Sequence, residues 1–137
     1  MAYQEAGTPG LERYGLHVDP NNTRLVVEDT VGDRRTILQR FDTGPSLTAQ
    51  LFDAEGNVIN LTGATATFRM RRRFSLVDKI AAGPVTIVDA LLGRVRYDWQ
   101  PGDTDEAGVY DSWVKVTQAG ALTSFPSDRS HEVKIDL

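Results

Sequence analysis

The feature that most constrains the fold is a stretch in which apolar and charged residues alternate with a period of two. Val95, Tyr97 and Trp99 stand at every second position, with charged residues between them. Successive side chains of a β-strand point to opposite faces, so this pattern predicts a strand with one buried face. Pro101 and Gly102 then end the strand, because proline has no N–H to donate to a sheet.

A second strand follows an acidic corner, and Tyr110 stands near its start, two residues after Gly108. Alternation places Tyr110 and Val114 on one face and Trp113 on the other. A tyrosine in this position is typical of the tyrosine corner of immunoglobulin-like sandwiches, in which the ring packs inward and the hydroxyl donates to a backbone carbonyl upstream. An ordinary amphipathic strand with a half-buried tyrosine explains the spacing equally well. Both interpretations give the stretch a structural role.

Other β-prone runs recur along the chain, each bounded by turn-forming residues. They cover residues 24–28, 35–41, 47–51, 58–61, 64–70, 85–88 and 133–137. The first two runs could form a hairpin between residues 24–28 and 35–41. Alternatively, residues 24–28 could be an edge strand that belongs to the N-terminal segment. Residues 72–84 fit one helical turn or a wide loop. About eight short strands without a long helix predict an all-β chain folded as an antiparallel β-sandwich.

The N-terminal segment has a different composition from the rest of the chain. Residues 1–22 combine several glycines and prolines with few bulky apolar residues, so they cannot bury much surface. A disordered leader and an extended arm that orders against a neighbouring subunit fit this composition equally well. In the second interpretation the anchors are Leu11, Tyr14 and Leu16. We assign residues 1–32 to the arm and residues 33–137 to the sandwich.

Composition excludes several classes of function. The chain has no cysteine, so disulfides and thiolate chemistry are absent. Its formal net charge of −4 gives no global attraction to nucleic acid or to an anionic membrane. No apolar run approaches the roughly 20 residues of a spanning helix, and the first residues lack the pattern of a signal peptide. We therefore expect a soluble protein with neither a membrane nor a nucleic acid as its partner.

Residues that could carry chemistry are few and scattered. His17 and His131 are far apart in the chain, and Asp103, Asp105 and Glu106 form an acidic cluster without the ligand pattern of a calcium loop. The sequence has no nucleophile motif and no phosphate-binding loop. We expect no enzymatic activity, no metal and no cofactor.

A basic run and a tryptophan are the candidate interface residues. Alternation sends Arg71 to one face of its strand, and the run then ends in a loop through Arg72, Arg73 and Phe74. Arginines that are not gathered on one face with aromatic residues favour an interface or solvated patch over a nucleic-acid site. Trp113 alternates away from the Tyr110 face, and it is either an interface anchor or a residue covered by local loops.

The order of several short motifs resembles the N-terminal immunoglobulin-like domain of the baseplate upper protein of tailed bacteriophages and related small virion proteins. The matching pieces are DTGPSL at 42–47, LFD at 51–53 with GNV at 56–58, LTGATATF at 61–68, GRVRY at 93–97, DT at 103–104 with AGVY at 107–110, and FP at 125–126. Together they cover roughly residues 33–137. The resemblance implies a β-sandwich that builds and attaches virion parts and has no catalytic residues. The family member that names the fold continues into a long stalk, whereas this sequence ends at Leu137 and carries an arm ahead of the matched region.

These observations lead to a functional expectation. We expect a structural protein of a tailed-phage virion that docks its sandwich onto the tail or baseplate and is anchored by its N-terminal arm. Its partners would be other virion proteins, in a homo-oligomer or in many copies per particle. One alternative is a capsid decoration protein. The other is a carbohydrate-binding module for the host surface, with Tyr97, Trp99 and Trp113 as stacking platforms.

Overall fold

The computed structural model describes residues 23–28 and 35–137, and these contain nine β-strands and no helix. The strands are β1 (Arg24–Val27), β2 (Arg35–Gln39), β3 (Leu47–Phe52), β4 (Thr65–Arg72), β5 (Asp78–Asp89), β6 (Arg94–Tyr97), β7 (Gly108–Gln118), β8 (Ala121–Phe125) and β9 (His131–Asp136). All pairings are antiparallel except that of β2 with β9. The predicted all-β, mainly antiparallel architecture is confirmed.

The strands form two layers that share β5. One layer has the order β1-β3-β6-β5, and the other continues from β5 through β4, β7 and β9 to β2, with β8 also paired to β7. The first part of β5 pairs with β4, and the part from Val85 onward pairs with β6. Pro84 stands where the strand changes partner, a position at which its missing N–H costs little. The expected helical turn or loop over residues 72–84 is therefore wrong from Asp78 onward, because pairing with β4 extends the strand.

The core lies between the two layers and contains the aromatic residues of the alternating stretch. The ring of Phe68 in β4 stacks on that of Tyr97 in β6, with centroids 4.5 Å apart, and Trp99 meets both rings edge-on. A Cβ added to Gly83 would lie 2.5 Å from Cε1 of Tyr97, so glycine is required where β5 passes this ring. The predicted buried face of Val95, Tyr97 and Trp99 is confirmed.

The acidic corner, which we define as residues 103–106 before β7, is fixed to the core. Tyr110 is fully buried, and its hydroxyl donates to the backbone oxygen of Glu106 at 2.7 Å. The Asp103 carboxylate accepts hydrogen bonds from the Tyr97 hydroxyl at 2.5 Å and from the Gln100 N–H at 2.8 Å. The tyrosine corner is therefore confirmed.

The first two strands do not form a hairpin with each other. β1 pairs with β3 at the edge of one layer, and β2 pairs in parallel with β9 in the other. Val27 is buried, and the Glu28 carboxylate accepts two hydrogen bonds from the Arg94 guanidinium, at 2.7 and 2.9 Å. The hairpin interpretation is wrong, and that of an edge strand is confirmed. Arg24–Val27, which we assigned to the arm, belong to the sandwich because this strand buries apolar side chains against its core.

Candidate protein-binding site

The loop between β4 and β5 carries three highly exposed large apolar side chains, among them the two most exposed of the described residues. Phe74 is 101% exposed, Leu76 92% and Val77 74%. We call residues 73–77 the hairpin tip. Contiguous apolar surface rimmed by polar groups marks interaction sites on soluble proteins, so this loop is the strongest candidate site.

The hairpin tip is held in one conformation by hydrogen bonds of its backbone. The Ser75 N–H donates to the Arg72 carbonyl at 2.9 Å, and the Val77 N–H donates to the Ser75 hydroxyl at 3.1 Å. The Arg73 N–H donates to the carbonyl of Val109 on β7 at 3.0 Å. Between these bonds Phe74 adopts a left-handed backbone, with φ of 67°. The tip therefore presents its apolar side chains without needing a partner to order the loop.

Ion pairs surround the base of the hairpin tip. Four cations and five carboxylates form this set, which we call the collar: Arg71–Asp78 at 2.8 Å, Arg72–Glu106 at 2.6 Å, Arg73–Asp111 at 2.9 Å, Arg73–Glu132 at 3.2 Å and Lys79–Asp105 at 2.5 Å. Solvent-exposed pairs of this kind contribute little to stability one by one. Their effect on function is to cancel the positive charge that the sequence places beside Phe74.

Electrostatics keep the collar charged. The hydrogen bond from Lys79 holds the pKa of Asp105 below its ordinary value, and the same bond raises the pKa of Lys79. The hydrogen bond to Asp111 raises the pKa of Arg73. Each shift favours the charged form, so these three groups neither take up nor release a proton near neutral pH. Their arrangement suits a fixed polar rim rather than proton transfer.

Trp113 is covered by the chain itself. Its side chain is only 3% exposed, and the guanidinium carbons of Arg71 and Arg129 lie 5.7 and 5.2 Å from its ring. The interpretation as an outward interface anchor is wrong, because two arginines from different parts of the chain stack on the indole. Tyr97 and Trp99 are also buried, so the aromatic platform behind the carbohydrate-binding alternative is not at the surface.

The structure brings some predicted site residues together and separates others. Arg71, Arg72, Arg73 and Phe74 all lie at the end of β4 or in the hairpin tip. Leu11, Tyr14 and Leu16 lie outside the described residues. Leu76 and Val77 were not predicted as site residues, because an apolar pair after Ser75 suits a helical turn as well as an exposed loop.

Of the two histidines considered for chemistry, His17 lies outside the described residues and His131 has a structural partner. His131 is buried, with Nε2 3.0 Å from the Thr36 hydroxyl, so it links β9 to β2. Within residues 23–28 and 35–137, no three or more His, Cys, Asp or Glu residues are placed to hold a metal ion. The same part of the chain contains no helix long and apolar enough to cross a membrane.

Comparison with known proteins gives likenesses only among solved structures. No family model matches the sequence, and no curated protein matches it. Among solved structures, the chain is similar to one described as the crystal structure of the Lin-41 filamin domain, at 18% sequence identity and a TM-score of 0.43. The match covers 85% of this chain and 94% of that one.

Proposed function

We propose that this protein is a non-enzymatic structural component of a tailed-phage virion, which binds other virion proteins through the hairpin tip of an immunoglobulin-like sandwich. The observation that carries the proposal is the exposure of Phe74, Leu76 and Val77 on an ordered loop. Exposed apolar side chains are unfavourable in water unless a partner covers them. A protein that works within an assembly has such a partner.

The finer description of the fold as immunoglobulin-like has support from one local feature. Tyr110 starts a central strand after a polar corner, and its hydroxyl bonds the backbone four residues upstream. This arrangement recurs in immunoglobulin-like sandwiches. The ordered motifs that resemble the phage baseplate family fall in the same part of the chain, between residues 42 and 126.

The proposal includes no catalytic activity because the carboxylates of the acidic corner all have structural hydrogen-bond partners. Asp103 accepts from Tyr97, Asp105 from Lys79, and Glu106 from Arg72. These carboxylates hold the corner and the collar together, and each is committed to a structural partner. In this proposal the N-terminal arm, with Leu11, Tyr14 and Leu16, supplies a second contact to neighbouring subunits.

The test is whether purified particles contain the protein, and in how many copies. Quantitative mass spectrometry of particles whose genome encodes this chain should find it, and cryo-electron microscopy should locate it. A few copies at the tail or at one vertex would support a baseplate or connector part. Copies over the whole shell would support a capsid decoration protein instead. Particles without the chain would overturn the virion role.

A further inference from the structure

A second exposed phenylalanine lies outside the hairpin tip. Phe41 follows β2, is 67% exposed and has a φ of 75°. Its N–H donates to the carbonyl of Thr104 at 2.9 Å, and the neighbouring Arg40 Nε donates to the carbonyl of Asp105 at 2.8 Å. Phe41 is therefore attached to the acidic corner that Tyr110 fixes.

The acidic corner also joins the base of the hairpin tip. The Asp105 carboxylate accepts from Lys79 at 2.5 Å, and the Glu106 carboxylate accepts from Arg72 at 2.6 Å. Asp105 thus holds the Phe41 segment through its backbone and the hairpin through its side chain. Phe41 and the hairpin tip lie at the same end of the sandwich, on either side of one fixed corner.

Neither phenylalanine is part of the buried core. A left-handed backbone is unfavourable for a bulky side chain and favours glycine or asparagine. Phe41 and Phe74 adopt it while most of their surface contacts water. Burial in the core does not offset this local cost at either position. The Arg40 guanidinium lies 4.7 Å from the centroid of the Phe41 ring and leaves most of that ring exposed, and Phe74 is fully exposed, so both rings are available for an external contact.

We propose that Phe41 and the hairpin tip form one docking surface with two anchor points, for a protein partner that offers two apolar recesses with a polar rim. This inference rests on the proposed function and specifies how the chain attaches to its neighbour. Large aromatic side chains that fill recesses supply most of the energy of such contacts. Because backbone hydrogen bonds fix both anchors, little conformational entropy is lost on binding.

The charges of the collar select a protein over a lipid surface or a nucleic acid. Those partners need unpaired positive charge beside the apolar side chains. The collar has four cations and five carboxylates, and Arg40, which lies over the Phe41 ring, brings the cations of the docking surface to five, so it offers no net positive charge. A balanced set of charges around apolar anchors has the composition of the polar rim of a protein interface.

The apolar part of the surface is small, which suits a contact that is repeated in a multi-copy assembly. An aromatic side chain buries about 150–250 Å². Two phenylalanines with Leu76 and Val77 therefore offer on the order of 600 Å², compared with roughly 800 Å² per partner in a stable interface. A contact of this size is weak alone and becomes strong when many copies bind together.

Incorporation of variants into particles tests the two anchors. Phe41→Asn and Phe74→Asn remove the rings and keep a residue that tolerates the left-handed backbone. Leu91→Asn is the matched control, because Leu91 is as exposed as Phe41, at 67%, in the turn after the opposite end of β5. We expect each phenylalanine variant to lower incorporation about 10-fold, a loss of roughly 1.4 kcal/mol. The control should incorporate like the wild type. None of the three variants should melt below it, because asparagine tolerates the left-handed backbone of positions 41 and 74.

The outcomes separate this inference from the proposed function. Wild-type chain in the particles, with both phenylalanine variants incorporated equally well, would overturn the docking surface and leave the virion role intact. Particles lacking the wild-type chain would overturn the virion role and the docking surface that rests on it.

Photo-crosslinking in purified particles tests the kind of partner. Benzoylphenylalanine placed at position 41 or 74 should crosslink to the same neighbouring protein, and at position 91 it should not. Crosslinks only between copies of this chain would overturn the inference in favour of self-association. Binding to phosphatidylglycerol vesicles that is lost in Phe74→Asn would overturn it in favour of a lipid surface.

Discussion

At the scale of single residues, the same side-chain types have opposite roles according to what covers them. Trp113 and Phe74 both looked like interface anchors in the sequence. Trp113 is buried beneath Arg71 and Arg129, whereas Phe74 is fully exposed. Alternation along a strand predicts the face on which a side chain lies. It does not predict whether another part of the chain covers that face. Arg129 is sixteen residues from Trp113 in sequence, and no local pattern connects them.

Removing one hydroxyl tests the tyrosine corner. Tyr110→Phe leaves the ring in place and deletes the hydrogen bond to the Glu106 carbonyl. We expect the free energy of unfolding to fall by about 1 kcal/mol, because a buried acceptor loses its donor. Urea unfolding of both proteins measures this difference. Equal midpoints with equal slopes would show that the bond contributes nothing.

At the scale of the elements, strands with one buried face were predictable and strands defined by distant pairing were not. β3, β4 and β6 alternate clearly because one face of each packs in the core. β5 was missed in part, because the part that pairs with β4 has only Ile80 and Gly83 buried and ends in Pro84. The parallel pairing of β2 with β9 joins strands that are almost a hundred residues apart, for which the sequence carries no local signal.

The candidate site was predictable only where it adjoins such a strand. Phe74 stands out because it directly follows the arginines that end β4. Leu76 and Val77 have no comparable signal, because residue type alone does not distinguish an exposed apolar side chain from a buried one. Phe41 was placed within a β-prone run, and only its backbone and exposure in the fold distinguish it. An exposed apolar residue becomes visible as a site only once the core is known.

Adding a methyl group at Gly83 tests how closely β5 approaches the Tyr97 ring where the strand passes from one layer to the other. Gly83→Ala places a Cβ against the Tyr97 ring, which is itself packed on Phe68. We expect destabilisation of about 1–3 kcal/mol, because the ring has to move within a close-packed core. Thermal unfolding measures it. Gly44→Ala is the control, because nothing lies within 4 Å of a Cβ there. Similar melting of the two variants would contradict the close approach.

At the scale of the whole molecule, ion pairs and hydrogen bonds to carboxylates link segments that are distant in sequence. Glu28 in the first described segment pairs with Arg94, Asp98 accepts from Ser46, and Asp105 pairs with Lys79. In each case this hydrogen bond is the largest cause of a carboxyl pKa below its ordinary value. The protein therefore gains stability from these carboxylates in their ionised form.

The pH dependence of stability follows from the sign of these shifts. Because the folded-state pKa values are lowered, the unfolded chain binds more protons as the pH falls through the ordinary values of 4.5 for Glu28 and 3.8 for Asp98 and Asp105. We expect full stability above these values and a progressive loss below them, as the pH falls through the lowered pKa values. Urea unfolding between about pH 7 and pH 3 measures the loss.

The variant Glu28→Gln tests how much of the pH dependence of stability comes from the ion pair between Glu28 and Arg94. Glu28→Gln cannot ionise, so it should be less stable than the wild type near neutral pH and should lose less stability on acidification. The two proteins should become more alike as the pH falls. A constant difference at every pH would show that the Glu28 carboxylate is not stabilised by Arg94.

The single strand that runs through both layers has a mechanical consequence. β5 contains 12 residues and starts directly after the hairpin tip. A tensile load applied at the tip pulls β4 and β5 in the same direction, so it would be carried in shear by the ladders of β5 with β6 and of β4 with β7. Hydrogen bonds loaded in shear must break as a group, whereas bonds at a peeled edge break one after another. The sandwich would thus resist force most strongly along the direction in which the tip points.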